Sequence, residues 1–124
     1  MVGKAGKVWG QTEELIRTPL IEMHRIHIVP EAQCSMHKHE NKWNLFYVIK
    51  GKLAIDVQKK DYDLVDTTII NAGEWTTVSP NEYHRFRSLD EEVEALEVYY
   101  LEPIGDDIVR KDVGGLIKDQ LLEE

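Results

Sequence analysis

The chain has 124 residues and, with 23 acidic against 15 basic side chains, a formal charge of −8, so one domain with a single core is expected. An acidic surface is not rewarded by nucleic acid or by an anionic bilayer, and neither is expected as a partner. No apolar run is long enough to span a membrane, MVGKAGKVWGQ lacks the apolar stretch of a secretory signal, and the lone Cys34 excludes a disulfide framework or a cysteine-based zinc cluster. A cytoplasmic protein handling a small molecule is the resulting expectation.

In chain order, Ile21 to Val29 is β-rich and runs into Pro30. Asn44 to Ile49 and Lys52 to Gln58 flank Lys50-Gly51 and predict a hairpin. Residues 59–63 form a polar tip, followed by strand-like Leu64 to Ile70, a turn at Asn71-Ala72-Gly73-Glu74 and a short strand from Trp75 to Val78. A second turn, Ser79-Pro80-Asn81-Glu82, precedes strands at Tyr83 to Arg87 and Val93 to Leu101. About seven short strands at regular spacing predict an all-β sandwich or barrel. A helix is expected only from about Asp106 onward, interrupted by Gly114-Gly115, and both chain ends are expected to fray.

Five histidines stand out: His24, His27, His37, His39 and His84. On a strand, the two-residue step from His37 to His39 puts both imidazoles on one face, which supplies half of a divalent-metal shell. His84, just after the Pro80-Asn81 turn, is the natural third donor. The same residues read equally as a polar strand end and an exposed turn.

The stretches HKHENKWNLFYVIKG (37–51) and GEWTTVSPNEYHRFRS (73–88) resemble the two motifs of the cupin superfamily. His37, His39, Gly51, Gly73 and His84 fall at the family spacing, with 21 residues between Gly51 and Gly73. The resemblance covers about residues 20–101. It implies a cupin-type double-stranded β-helix, or jelly roll, with an N-terminal arm (1–19) and a C-terminal arm (102–124) that includes a short helical segment. It also implies a divalent metal (zinc, iron, manganese or nickel) on His37, His39 and His84. The family's glutamate ligand maps onto Asn44, an uncharged donor in its place. Glu31 and Asn81 stand where the motifs carry glycine, Ser79 stands at the proline position with Pro80 beside it, and Ser88 replaces the final asparagine. Asn tolerates the left-handed backbone that glycine would supply.

The flanks Lys7-Val8-Trp9-Gly10 and IGDDIVRKDVGG (104–115), with Leu96-Glu97-Val98, extend the similarity. They resemble the C-terminal cupin domain of type II mannose-6-phosphate isomerases over residues 7–115, with Val113 and Gly115 replacing a Tyr and an Arg. That resemblance implies aldose–ketose isomerisation of a sugar or sugar phosphate, with metal polarising the oxygens and a base shuttling the proton. Glu97 is the candidate catalytic carboxylate, with His24 or His27 as second choices. Arg85, Arg110 and Lys111 are candidate phosphate contacts, although Arg85 and Arg87 must point outward if His84 points in. A homodimer is expected through strand pairing of the arms. Two alternatives remain: a non-catalytic module that binds a carbohydrate or small metabolite, and a ferrous oxygenase using the same histidines. Trp43 is expected at the metal rim, and Trp9, Trp43 and Trp75 could line a sugar pocket. Cys34 reads as a small buried hydrophobe or a reactive thiol.

Overall fold

The computed structural model describes residues 4–59, 64–102 and 105–117; the tip at 60–63 and residues 118–124 lie outside them. The described residues form β1 (Lys4–Lys7), β2 (Gly10–Arg17), β3 (Ile21–Ile28), β4 (Trp43–Lys50), β5 (Lys52–Gln58), β6 (Val65–Asn71), β7 (Trp75–Val78), β8 (His84–Ser88) and β9 (Val93–Tyr100). Two antiparallel sheets, ordered β1-β2-β3-β9-β4-β7 and β6-β5-β8, face each other as a jelly roll. No helix among the described residues is long and apolar enough to cross a membrane.

Strand alternation explains the core. Ile26 and Ile28 of β3, Phe46 and Val48 of β4, and Val93 and Ala95 of β9 turn inward from the larger sheet and are fully buried. Leu53, Ile55 and Phe86 meet them from the smaller sheet. On the other side of that sheet a carboxylate is buried: Asp56 accepts bonds from Thr67 (2.7 Å), Arg85 Nε (2.8 Å) and Arg87 Nε (2.9 Å). Burial alone would raise the Asp56 pKa, but these donors overcome it and hold the group down at about 2.

The N-terminal arm is a β1–β2 hairpin that extends the larger sheet at β3. It docks through Trp9, whose ring meets Phe86 edge-on at 4.9 Å. Gly10 makes this approach possible: its φ is 152°, and a Cβ there would lie 1.9 Å from the His27 carbonyl oxygen. KAGK and GQTEELIR carry few β-branched or aromatic residues and do not predict strands; the exposed edge of β3 recruits them.

The helix expected from about Asp106 is absent over residues 106–116; helical backbone is reached at Ile117, and the remainder of the expected segment, 118–124, lies outside the described residues. Gly114-Gly115 interrupts the segment, and no part of 105–117 finds a buried face to pack on, so tertiary support for a short helix is missing.

Candidate metal centre

His37 and His39 lie in the loop before β4 rather than on a strand, yet backbone pairing still sets their position. His37 N–H donates to the His84 carbonyl (3.0 Å) and His84 N–H to the His37 carbonyl (2.8 Å), an isolated antiparallel bridge. Asn81 N–H donates to the His39 carbonyl at 2.7 Å, which ties the turn before β8 to the same loop. Glu31 and Asn81, at the two glycine positions of the motifs, both adopt left-handed backbone, with φ of 54° and 68°. The turns therefore keep their shape without glycine.

The three imidazoles converge, each offering one ring nitrogen, and these nitrogens lie within 4.8 Å of one another. Two rings are oriented from behind. The Nδ1 of His37 donates to the Ser35 carbonyl (2.7 Å) and that of His84 to the Glu82 carbonyl (2.9 Å), leaving each Nε2 with a lone pair directed at the shared space. His39 Nε2 is buried and has no hydrogen-bond partner. Desolvation, reinforced by His37 and His84, pushes the His39 pKa down to about 4, and desolvation also lowers that of His84. The lowered basicity of His39 and His84, the rear hydrogen bonds of His37 and His84, and the orphaned nitrogen of His39 fit a divalent cation.

Asn44, on β4 and 1% exposed, completes the group. Its Oδ1 stands 3.0 Å from His84 Nε2, while its amide N–H₂ is directed at the Val98 carbonyl (3.4 Å) and the Glu97 carboxylate. Glu97 projects inward from β9, opposite His24 of β3 and Phe46 of β4, and is 6% exposed. Desolvation raises its pKa to about 7, against the opposing pull of the Tyr99 hydroxyl, His24 and the Asn44 amide. A cavity of about 600 Å³ is lined by His37, Glu97, Tyr99, His24, Cys34 and Trp9. Beside it a second cavity, of about 500 Å³, holds Arg17, Lys42 and Tyr99.

The structure thus gathers His37, His39, Asn44 and His84, and sets Glu97 and His24 on the same chamber. Other candidates lie elsewhere. His27 is on the outer face of β3, 3.1 Å from Glu92. Arg85 and Arg87 are committed to Asp56, while Arg110 and Lys111 sit in the exposed 105–117 segment. Trp43, expected at the metal rim, stacks on Tyr100 outside the sheet, because a strand sends neighbours 43 and 44 to opposite faces. Cys34 is buried, accepts the Phe86 N–H at 3.2 Å, and burial raises its pKa to about 11, so the thiolate is disfavoured. Two chamber-wall residues carry only a faint signal in the sequence: Glu22, 2.8 Å from His24 Nε2, and Tyr99. Their signal was parity, since each lies two residues from an inward group, His24 and Glu97.

The cupin domain matches residues 24–99. No match emerges among curated proteins. Among solved structures the chain is similar to KdgF from Halomonas sp., at 13% identity and a TM-score of 0.66, covering 78% of this chain and 83% of that one. It is similar to CapF at 18% identity and a TM-score of 0.73, covering 82% of this chain and 31% of CapF. Oxalate decarboxylase from Bacillus subtilis gives 15% identity and a TM-score of 0.72, over 81% of this chain and 27% of that one. The chain therefore spans less than a third of the latter two, and at these identities the likeness is one of fold. The domain match covers more than half of the chain and includes His37, His39, Asn44, His84 and Glu97: this protein belongs to the cupin family.

Proposed function

We propose that this cupin holds one divalent metal ion on His37, His39 and His84, with Asn44 as the fourth donor. On that reading it moves a proton on a sugar or sugar phosphate in an aldose–ketose isomerisation, with Glu97 as the base. The observation that carries the reading is the buried Glu97 carboxyl on the same chamber wall as His37, with its pKa raised to about 7. The metal would supply Lewis-acid polarisation of the substrate carbonyl. Zinc, iron, nickel and manganese all suit imidazole and amide donors; the related fold of B. subtilis oxalate decarboxylase carries Mn(II) centres.

Glu97 takes the proton from the carbon beside the carbonyl and returns it to the former carbonyl carbon, starting and ending as carboxylate, while the proton of the adjacent hydroxyl passes to the former carbonyl oxygen. Tyr99 and Asn44 hold that carboxylate by hydrogen bonds, and His24 lies across the strand pair. The aromatic wall of Trp9 and Tyr99 suits a sugar face. A phosphate would meet Arg17 and Lys42 in the adjoining cavity rather than Arg85. The uncharged Asn44 favours a second reading, a module that binds its ligand without turnover.

The test is elemental analysis of the purified chain, then exchange of solvent deuterium into aldose and ketose phosphates followed by NMR. Stoichiometric metal with exchange that Glu97→Gln abolishes is the expected result. Exchange unchanged in Glu97→Gln overturns the role of Glu97, and metal binding without exchange leaves the binding module.

A further inference from the structure

Two protons move in an aldose–ketose exchange, one between carbons and one between oxygens. Glu97 carries the first, and once protonated it has no charge left with which to take the second. The chamber wall offers few other carriers. The Tyr99 hydroxyl is committed to Glu97, burial keeps Cys34 a thiol, and the Lys7 ammonium has no lone pair. His24 is different. It stands directly opposite Glu97 in the β3–β9 register, where facing residues hold their Cβ atoms about 5 Å apart, and it lines the same chamber. Its Nε2 lies 2.8 Å from Glu22 Oε2, and its Nδ1 is buried with no hydrogen-bond partner among the described residues. The carboxylate fixes the tautomer: the ring proton sits on Nε2, and Nδ1 keeps its lone pair. Glu22 is itself held charged, since its other oxygen faces Arg17 at 3.6 Å and Lys42 at 3.9 Å.

We infer that His24 is a second catalytic residue, the carrier of the hydroxyl proton, with Glu22 as its positioning residue; this rests on the isomerase reading and names the group that completes it. In the forward direction Glu97 removes the proton from C2 of the aldose. The C–H electron pair becomes the C1–C2 double bond, and the carbonyl pair moves onto O1. His24 Nδ1 then accepts the proton of the C2 hydroxyl and delivers it to O1. The electron pair left on O2 forms the new carbonyl as C1 takes the proton back from Glu97, so both side chains end as they began. While the ring holds the extra proton, the Glu22 carboxylate balances its charge, as a fixed acid does behind a histidine base. A histidine with only a structural role would have both nitrogens satisfied, as buried polar atoms usually are. Glu14, which faces His24 from β2, is engaged by Arg17, which leaves Glu22 as the carboxylate that bonds the ring.

Solvent-deuterium exchange into aldohexose and aldopentose phosphates, followed by NMR with the metal-loaded full chain, separates the two transfers. His24→Gln removes the oxygen-to-oxygen carrier and leaves the carbon step in place. Deuterium should therefore still wash into C2 of the recovered aldose within a few-fold of the parent rate, while ketose formation falls roughly 100-fold or more, as loss of an acid–base group does. Nitrogen NMR of the metal-free parent at about pH 8 should place the His24 proton on Nε2, and Glu22→Gln should release that preference. Wash-in and ketose formation that fall in step, or that both persist, overturn the inference and leave the isomerase reading standing. A His24 proton on Nδ1 overturns it without any variant. A parent chain that shows no exchange with any of these phosphates overturns the isomerase reading itself, and the inference with it.

Discussion

Asn44 Oδ1 and His84 Nε2 stand 3.0 Å apart with no proton to share, because His84 spends its Nδ1 proton on the Glu82 carbonyl and Asn44 turns its own N–H₂ toward Glu97 and Val98. Two facing lone pairs repel unless both donors turn to one shared cation beside them. Calorimetric titration of the chelated protein with zinc or manganese should give one site per chain. His84→Ala should remove measurable binding, and Asn44→Ala should weaken it about tenfold, by loss of one neutral donor.

Glu97 should oppose stability where it serves chemistry. Its folded pKa of about 7 lies above the ordinary 4.5, so the protonated form is favoured in the fold. The sign follows: stability is fullest below about pH 4.5 for this group and falls as pH rises toward 7. Denaturant melts of metal-free protein at pH 8 should find Glu97→Gln more stable than the parent, by up to about 3 kcal/mol. A melt unchanged by the substitution would contradict the burial argument.

Asp56 works in the opposite direction. Its pKa is depressed from 3.8 to about 2, so its contribution, about 2 kcal/mol, is intact above pH 4 and disappears as pH falls toward 2. Asp56→Asn should flatten the acid limb of the stability curve between those values. At neutral pH it should cost about 3 kcal/mol, since the two arginines lose their shared carboxylate.

Backbone conformation gives a pair of predictions with opposite signs. Gly10→Ala places a methyl 1.9 Å from the His27 carbonyl oxygen and should lower Tm sharply, as the hairpin must shift away from β3. Glu31, at φ 54°, carries a left-handed penalty of about 1 to 2 kcal/mol that glycine avoids at some entropic cost. Glu31→Gly should therefore raise Tm by a few degrees, read by calorimetry.

Much of this architecture was legible from the chain. The hairpin around Gly51 and the strands at 52–58 and 75–78 are written in alternating apolar residues and turn punctuation, and the histidine spacing pointed to the three rings that the structure brings together. What could not be read was set by distant contacts. The β1–β2 hairpin depends on an open edge at β3, and Glu31 holds its turn through its neighbours: its N–H donates to the Leu89 carbonyl at 2.8 Å. Alternation sends Arg85 outward once His84 points in; what nothing local reveals is that Asp56, 29 residues earlier, waits for it across the strand pair.

That pairing also bears on how faithfully β8 threads the barrel. His84 and Arg85 are one step apart, so a slip of one residue would exchange them, sending guanidinium into the core and imidazole to the surface. Asp56 accepts only the arrangement in which Arg85 and Arg87 face outward together, with Thr67 as the third donor. The buried carboxylate is therefore a registration pin: by rejecting every odd offset of β8, it keeps His84, on the opposite face of the same strand, on the side where it can be used.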